Sequence, residues 1–254
     1  MAGQPRGEFS EFYSSRLHKE YFSIDVEREL PDRYEAIVDL VREFRSGRIQ
    51  RVLEVGVESA KTGRFLSEQL GFDLHNYTCL DISETSVQKL QAEGIDARVL
   101  DISRDSLEEI GTFDLIVLSE VLGHLFDPDH ALDEIARVSS STGLVVITTP
   151  NIASWFNRAS LLLGFQPFFC EASSRRTYGR AIRSFARPVG VIRPATVTAM
   201  CQMMTESGLD SLKVRGLPLD SRHDLPSIVG WIDRGFRFFP RFAAEFVVVG
   251  RRRK

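Results

Sequence analysis

The sequence has little cysteine, no long apolar run and almost no excess of either charge. Its three cysteines, Cys79, Cys170 and Cys201, are odd in number and far apart, which argues against both a disulfide framework and a zinc site. No uninterrupted apolar stretch approaches the roughly 20 residues of a membrane span. Residues 1–10 are polar where a secretory signal would carry an apolar core, so a reducing compartment and a cytoplasmic location are expected. A net charge of −3 with 26% charged residues is not the balance of a general nucleic-acid binder. The five histidines are scattered without H-x-x-x-H spacing, and no metal site is expected. Repeats and low-complexity tracts are also absent.

Two phosphate-binding patterns are missing as well. Residues 54–63 read E-V-G-V-E-S-A-K-T-G, which matches neither G-x-G-x-x-G nor the Walker loop, because Ala60 stands where a glycine should precede Lys61 and Thr62. What is present is an apolar strand, R-V-L-E-V, running into Gly56, then a helix-like segment and a second strand ending in Asp81. That is the layout of a nucleotide-cofactor site in an open α/β sheet: the glycine turn aims a helix N-terminus at the ligand, and a carboxylate about 20 residues on holds ribose hydroxyls. A strand-to-helix turn with glycine also occurs in α/β proteins for steric reasons alone.

At 254 residues and 43% hydrophobic, the chain suits one α/β domain with an elaborated region, burying roughly 70–75% of its unfolded surface. Tyr34, Ile37, Val38, Val41 and Phe44 follow a 3.6-residue period, giving a helix over 33–45 that ends before Gly47. Residues 64–70 read as a short helix, 77–80 as strand two, 83–93 as a helix ended by Gly94, and 97–100 as strand three. The runs F-D-L-I-V-L at 113–118 and G-L-V-V-I-T at 143–148 flank a helix at 129–138. Continuous apolar strands of this kind belong in a parallel sheet covered on both faces. The expected fold is therefore doubly wound α/β. Residues 151–194 break the rhythm with aromatics and arginines and are taken as an inserted cap, between a core at 48–150 and a C-terminal completion at 195–254; residues 1–47 form an N-terminal helical segment. A helix at 195–207, a strand at 212–214 and a last strand at 242–249 follow, before a basic end read as a solvated terminus.

From Phe113 the text F-D-L-I-V-L-S-E-V-L-G-H-L-F-D-P-D-H-A-L-D-E-I-A-R-V, followed by T-G-L-V-V-I-T-T-P-N, resembles the fourth and fifth sheet units of class I S-adenosylmethionine-dependent methyltransferases. It is especially similar to the small-molecule branch that includes ubiquinone-biosynthesis enzymes. The resemblance covers about 48–151 and implies a Rossmann-like, seven-stranded sheet whose last strand is antiparallel. It further implies S-adenosylmethionine as methyl donor and S-adenosylhomocysteine as product. Carried over residue by residue, Glu54 and Gly56 would sit by the methionine half, Asp81 on the ribose and Ile82 beside the adenine. Asp101 with Ile102 would approach the adenine amino group, and Ser119 and Glu120 would line the methyl end. A ribose diol suits a bidentate carboxylate acceptor, but Asp81 and Asp101 also stand where an aspartate caps a helix.

Three departures from the family pattern stand out. Aligning T-G-R-F at 62–65 needs about three extra residues at 58–60; Gly123 replaces a glutamate in S-E-V-L-E-H-L; and Val191 stands in place of a histidine ahead of the next helix. His124 matches the family histidine beyond the fourth strand and is the candidate base for a hydroxyl acceptor, with a capping or packing role as the alternative. His130 is expected to be exposed. In the cap, Trp155, Phe156, Phe165, Phe168, Phe169 and Tyr178 could bury an apolar acceptor, and Arg158, Arg175, Arg176, Arg180 and Arg183 could bind phosphate or carboxylate; packing of the cap onto the sheet and a solvated arginine face are the favoured alternative. Trp231, Ile232, Phe236, Phe238, Phe239 and Phe242 are assigned to the core, with a peripheral membrane contact or a homodimer surface as alternatives. The expected activity is methyl transfer to a small-molecule or lipid-linked acceptor, most readily at oxygen. A methyltransferase-like scaffold without catalysis and a nicotinamide-dependent oxidoreductase are the competing readings.

Overall fold

A computed structural model describes residues 32–57, 59–173, 176–181, 190–219 and 227–253. Seven strands form one sheet: β1 (Val52–Val55), β2 (Tyr77–Asp81), β3 (Asp96–Val99), β4 (Phe113–Ser119), β5 (Ser139–Pro150), β6 (Leu209–Leu217) and β7 (Glu245–Arg252). Their order is β3-β2-β1-β4-β5-β7-β6. β1 to β5 pair in parallel, and β7 runs antiparallel between β5 and β6. This is the doubly wound sheet with an antiparallel last strand that the sequence leads one to expect.

The described helices are α1 (Asp32–Phe44), α2 (Ala60–Leu70), α3 (Glu84–Ala92), α4 (Pro128–Val138), α5 (Trp155–Leu162), α6 (Val197–Glu206) and α7 (Ser227–Phe236). Alternation along the central strands supplies both faces with apolar side chains. Val52, Leu115, Val117 and Val146 pack under α1, α2 and α3, while Leu53, Ile116, Leu118 and Ile147 pack under α4 and α6. With apolar residues on both faces, these strands read as uninterrupted hydrophobic text. Local signals set the helix ends. Ser59 caps α2 by accepting the Lys61 N–H, left-handed Gly71 closes it, and Asp127 caps α4 with Pro128 following at the first helical position.

The structure moves several expected boundaries. Helix α2 begins at Ala60, not at residue 64, because Ser59 is a better N-cap than anything nearer Gly63. Gly63 therefore lies inside the helix, where it faces the Tyr77 ring. Strand β3 starts one residue early, β5 extends to Pro150, and β6 spans Leu209–Leu217, since pairing with β7 lengthens it beyond its apolar centre. The last strand begins at Glu245 rather than residue 242, because Phe242 ends a tight turn built on Phe239. Helix α7 has no counterpart in the sequence reading, and three of the aromatics in and after it are not core: Trp231, Phe238 and Phe239 are largely exposed.

A Cβ at residue 63 would overlap the ring of Tyr77, which is fully buried and hydrogen-bonded at its hydroxyl. Gly63→Ala gains about 1 kcal/mol of helix propensity, but overpacking a rigid ring costs about 1–3 kcal/mol. The expected result is a Tm lowered by roughly 2–6 °C, measured by thermal denaturation; an unchanged or raised Tm would contradict this packing.

Candidate active site

The parallel strands β1, β2, β3 and β4 all end at one edge of the sheet, where an open α/β fold binds its ligands. Glu54, Gly56, Asp81, Asp101, Ser119 and Glu120 are brought to that edge. Gly56 sits at φ 74° and donates its N–H to the Leu80 carbonyl at 2.8 Å. Both its conformation and its surroundings require glycine, because a Cβ there would meet Val121 Cγ2 at 2.5 Å.

Glu54 is buried on the face under α1 and α2. Tyr34 donates to its Oε1 at 2.8 Å and Tyr77 donates to its Oε2. Burial pushes the carboxyl up from its ordinary value, and the two phenol hydrogen bonds hold it back. Both oxygens are thus committed to tyrosines in this structure. The resemblance implies a place for this carboxylate by the methionine half of a cofactor; in the structure it is buried and ties Tyr34 of α1 to Tyr77 of β2.

At the end of β4, Glu120 is a non-glycine residue in the left-handed region, at φ 61°. Such a conformation persists only where its surroundings over-determine it. Here the Glu120 N–H donates to the Thr148 carbonyl and hydroxyl, both at 3.1 Å, and the Thr148 hydroxyl donates back to Glu120 Oε1 at 2.9 Å. Ser119 Oγ lies 3.2 Å from the same hydroxyl. Arg33 completes the set with Nη1 3.2 Å from Glu120 Oε1 and Nη2 4.0 Å from Glu245 Oε2. Arg33 and Tyr34 were not foreseen as site residues. A faint signal existed, since a cation in the first turn of a helix opposes the helix dipole and so is placed for something else.

Asp81 accepts the Ser83 N–H on Oδ1 at 2.7 Å, and its second oxygen takes no protein donor among the described residues. Burial raises its pKa to about 6, with the Ser83 hydrogen bond opposing. A desolvated carboxylate with one unused oxygen at a strand end fits a sugar diol. Ile82 follows it, half-buried. Asp101 is committed to its own turn: Oδ1 accepts the Ser103 N–H at 3.0 Å and Oδ2 lies 3.7 Å from Arg104. Ile102 beside it is buried in the core layer under α4. Glu58, Arg175 and Arg183 lie outside the described residues.

His124 closes a short turn, Leu122–His124, beyond β4. Its Nδ1 is 3.1 Å from the Gly190 carbonyl; a carbonyl only accepts, so Nδ1 carries the proton and Nε2 is the basic nitrogen. Burial lowers its pKa, opposed by the Gly190 hydrogen bond and by the Glu120 and Glu171 carboxylates. Two of the three departures from the family pattern are neighbours: a Cβ at Gly123 would lie 3.3 Å from Val191 Cγ1. The Gly123 carbonyl also accepts the Ile192 and Arg193 N–H groups at 2.8 and 3.0 Å. His130 is half-buried in the first turn of α4, with Nε2 3.3 Å from the Asp105 carbonyl.

In the 151–194 segment, Phe168 is buried and Trp155 and Phe156 pack edge-on, whereas Phe165 and Tyr178 are exposed. Arg180 is ion-paired with Glu171, both side chains only 5% exposed, and Glu171 Oε2 is buried with no hydrogen-bond partner among the described residues. Arg158 lies over the Phe242 ring and donates to the Ala153 carbonyl, and Arg176 is exposed. Among the described residues no group of three or more metal-ligating side chains occurs, and no helix is long and apolar enough to cross a membrane.

The strand order, the antiparallel β7 and the acid-tipped strand ends define a class I methyltransferase fold. A family model described as a methyltransferase domain matches residues 24–214, and the chain belongs to that family. Solved structures agree. One chain of a Haloferax volcanii complex containing the Trm112 methyltransferase activator aligns at TM-score 0.61 with 16% identity, covering 99% of this chain and 100% of that one. The CcbJ methyltransferase of Streptomyces caelestis aligns at 0.59 with 12% identity over 99% and 100% of the two chains. The N-methyltransferase NodS of Bradyrhizobium japonicum, solved with S-adenosyl-L-homocysteine, aligns at 0.52 with 17% identity over 88% and 87%. Sequence comparison with curated proteins gives no match. The chain is an enzyme of the class whose methyl donor is S-adenosylmethionine, which sets aside the nicotinamide reading.

A carboxyl whose folded pKa is raised is a net cost when ionised. Asp81 contributes fully to stability below its unfolded value of 3.8 and loses that contribution as pH rises through about 6. Asp81→Asn keeps the acceptor for the Ser83 N–H and removes the buried charge. The variant is therefore expected to be more stable than wild type at pH 8 by on the order of 1–3 kcal/mol, with the difference vanishing below about pH 4, as measured by denaturant unfolding. Equal stability at all pH values would show that Asp81 is well solvated.

Proposed function

We propose that the enzyme methylates a hydroxyl oxygen of an apolar small-molecule or lipid-linked acceptor, with His124 as general base. The observation that carries this reading is the orientation of His124, whose Nδ1 is tied to the Gly190 carbonyl while burial keeps the ring neutral near pH 7. A neutral imidazole with a fixed tautomer is suited to accept a hydroxyl proton.

S-adenosylmethionine supplies an electrophilic methyl group on a sulfonium and leaves as S-adenosylhomocysteine. The chain's own residues divide the remaining work. Asp81 Oδ2 accepts the ribose diol, with Ile82 against the adenine, and the Ile102 segment closes the adenine side; Asp101 serves there by shaping the 101–105 turn. Gly56 lets the backbone approach the ligand closely. Ser119 and Glu120 line the methyl end, and Arg33, held against Glu120, is placed to meet a carboxylate of the methionine half. Glu54 acts from beneath, positioning Tyr34 and hence the N-terminal end of α1.

The acceptor side is formed by Val191 and the Gly123 backbone next to His124. Where relatives carry a glutamate and a histidine, this chain has a glycine and a valine in contact, so that wall accepts carbon rather than charge. Residues 151–194 act as a cap that excludes water from the transfer.

Titration calorimetry with S-adenosylmethionine and with S-adenosylhomocysteine is expected to show binding that Asp81→Asn weakens by about 10- to 100-fold, the loss of a hydrogen bond to a charged group. Wild-type affinity should also fall as pH drops through about 6, where Asp81 gains a proton. His124→Ala is expected to leave that affinity intact and lower kcat by roughly 10²- to 10⁴-fold on a hydroxyl acceptor. Retained kcat in the His124 variant would overturn the assignment of the base, and absence of binding by wild type would overturn the site.

A further inference from the structure

Helix α7 presents its apolar stripe to solvent and its acid to the interior. Ile228, Trp231 and Ile232, spaced i, i+3 and i+4, are 72%, 74% and 45% exposed. Asp233 is 2% exposed and accepts the Trp155 indole N–H at 2.8 Å and the Leu219 N–H at 2.6 Å. Phe236 stacks on Trp155 at 5.7 Å and on Phe242 at 6.1 Å, which fixes the helix in this orientation. The turn that follows adds Phe238 and Phe239, 71% and 62% exposed. A helix of a globular domain normally buries such a stripe, and an exposed apolar patch of this extent marks an interaction site.

Charge identifies the partner. Between residues 227 and 242 the charged side chains are Arg234, Arg237, Arg241 and Asp233. The aspartate points inward, so the exposed side of residues 228–242 carries three positive charges and no negative one. The arginines interleave with the aromatics: Arg234 lies 5.7 Å from the Trp231 ring and Arg237 4.9 Å from that of Phe238. None of the three makes an ion pair within the described residues. A two-fold dimer through this patch would set arginines against arginines. Exposed tryptophan and phenylalanine ringed by arginine is instead the composition of a surface that settles into the headgroup layer of a bilayer.

We infer that α7 and the Phe238–Phe239 turn form a docking surface for an anionic lipid bilayer. Helix α5 packs against α7 through Trp155, and Leu161, Leu162 and Leu163 at its far end are exposed. This binding does not depend on the proposed acceptor or base, and it is read without any measurement of activity.

The test is sedimentation of the full chain with vesicles of phosphatidylcholine alone and of phosphatidylcholine mixed with phosphatidylglycerol. Wild type is expected to bind the anionic vesicles, to bind neutral ones at least tenfold more weakly, and to be released by salt. Replacing Arg234, Arg237 and Arg241 together by glutamine should weaken binding on the order of a hundredfold, about fivefold for each arginine. Trp155→Phe leaves Trp231 as reporter, whose emission should shift to the blue on anionic vesicles; Trp231→Ser should bind more weakly while keeping the wild-type Tm. Equal binding to neutral and anionic vesicles, no binding at low salt, or an undiminished glutamine variant would overturn the inference. So would a concentration-dependent dimer abolished by Trp231→Ser, which would assign the face to a second copy.

Discussion

A buried carboxylate holds the ligand edge of this protein together. Glu54 lies under α1 and α2 with one oxygen on Tyr34 and the other on Tyr77, so β1, β2 and α1 meet on a single side chain. Burying a carboxylate is expensive unless its lone pairs are filled, and the two phenols fill them. Burial raises the pKa of both hydroxyls, which keeps them protonated as donors. The Tyr77 ring in turn dictates glycine at position 63.

Everything at the edge inherits its position from that contact. Tyr34 fixes the start of α1, and with it Arg33, which reaches Glu120 and Glu245. Arg33 and Thr148 then hold Glu120 in a left-handed conformation that a glutamate would otherwise avoid. The end of β4 is thereby fixed just ahead of the turn that carries His124. The two acids differ: Glu54 has both oxygens filled by phenols, whereas the second oxygen of Asp81 takes no protein donor among the described residues.

The sheet was legible because its strands are covered on both faces and so appear as unbroken apolar text, and because glycines and aspartates mark the turns between them. The acids at the strand ends were legible for the same reason: a residue at the carboxyl end of a parallel strand has one place to go. What was hidden depends on contacts far apart in the chain. Tyr34 looks like one more apolar position of an amphipathic helix until Glu54, 20 residues on, is placed beneath it. The T-G-R-F text at 62–65 aligns with the family only with about three extra residues at 58–60; Ser59 starts α2 at Ala60, which puts Gly63 inside the helix against the Tyr77 ring. Gly123 and Val191 read as two separate losses and are in fact one contact. Helix α7 escaped notice because its stripe is apolar in the ordinary way; only its packing shows that the stripe faces out.

The account rests on where the cofactor lies. A crystal structure of the protein with S-adenosylhomocysteine tests this most directly. The account predicts the ribose diol on Asp81 Oδ2, the backbone of Gly56 against the ligand, and the homocysteine end between Ser119, Glu120 and Arg33, with Glu54 still held by Tyr34 and Tyr77. A ligand whose ribose makes no contact with Asp81, or a Glu54 released from its tyrosines to bind the homocysteine ammonium, would contradict it.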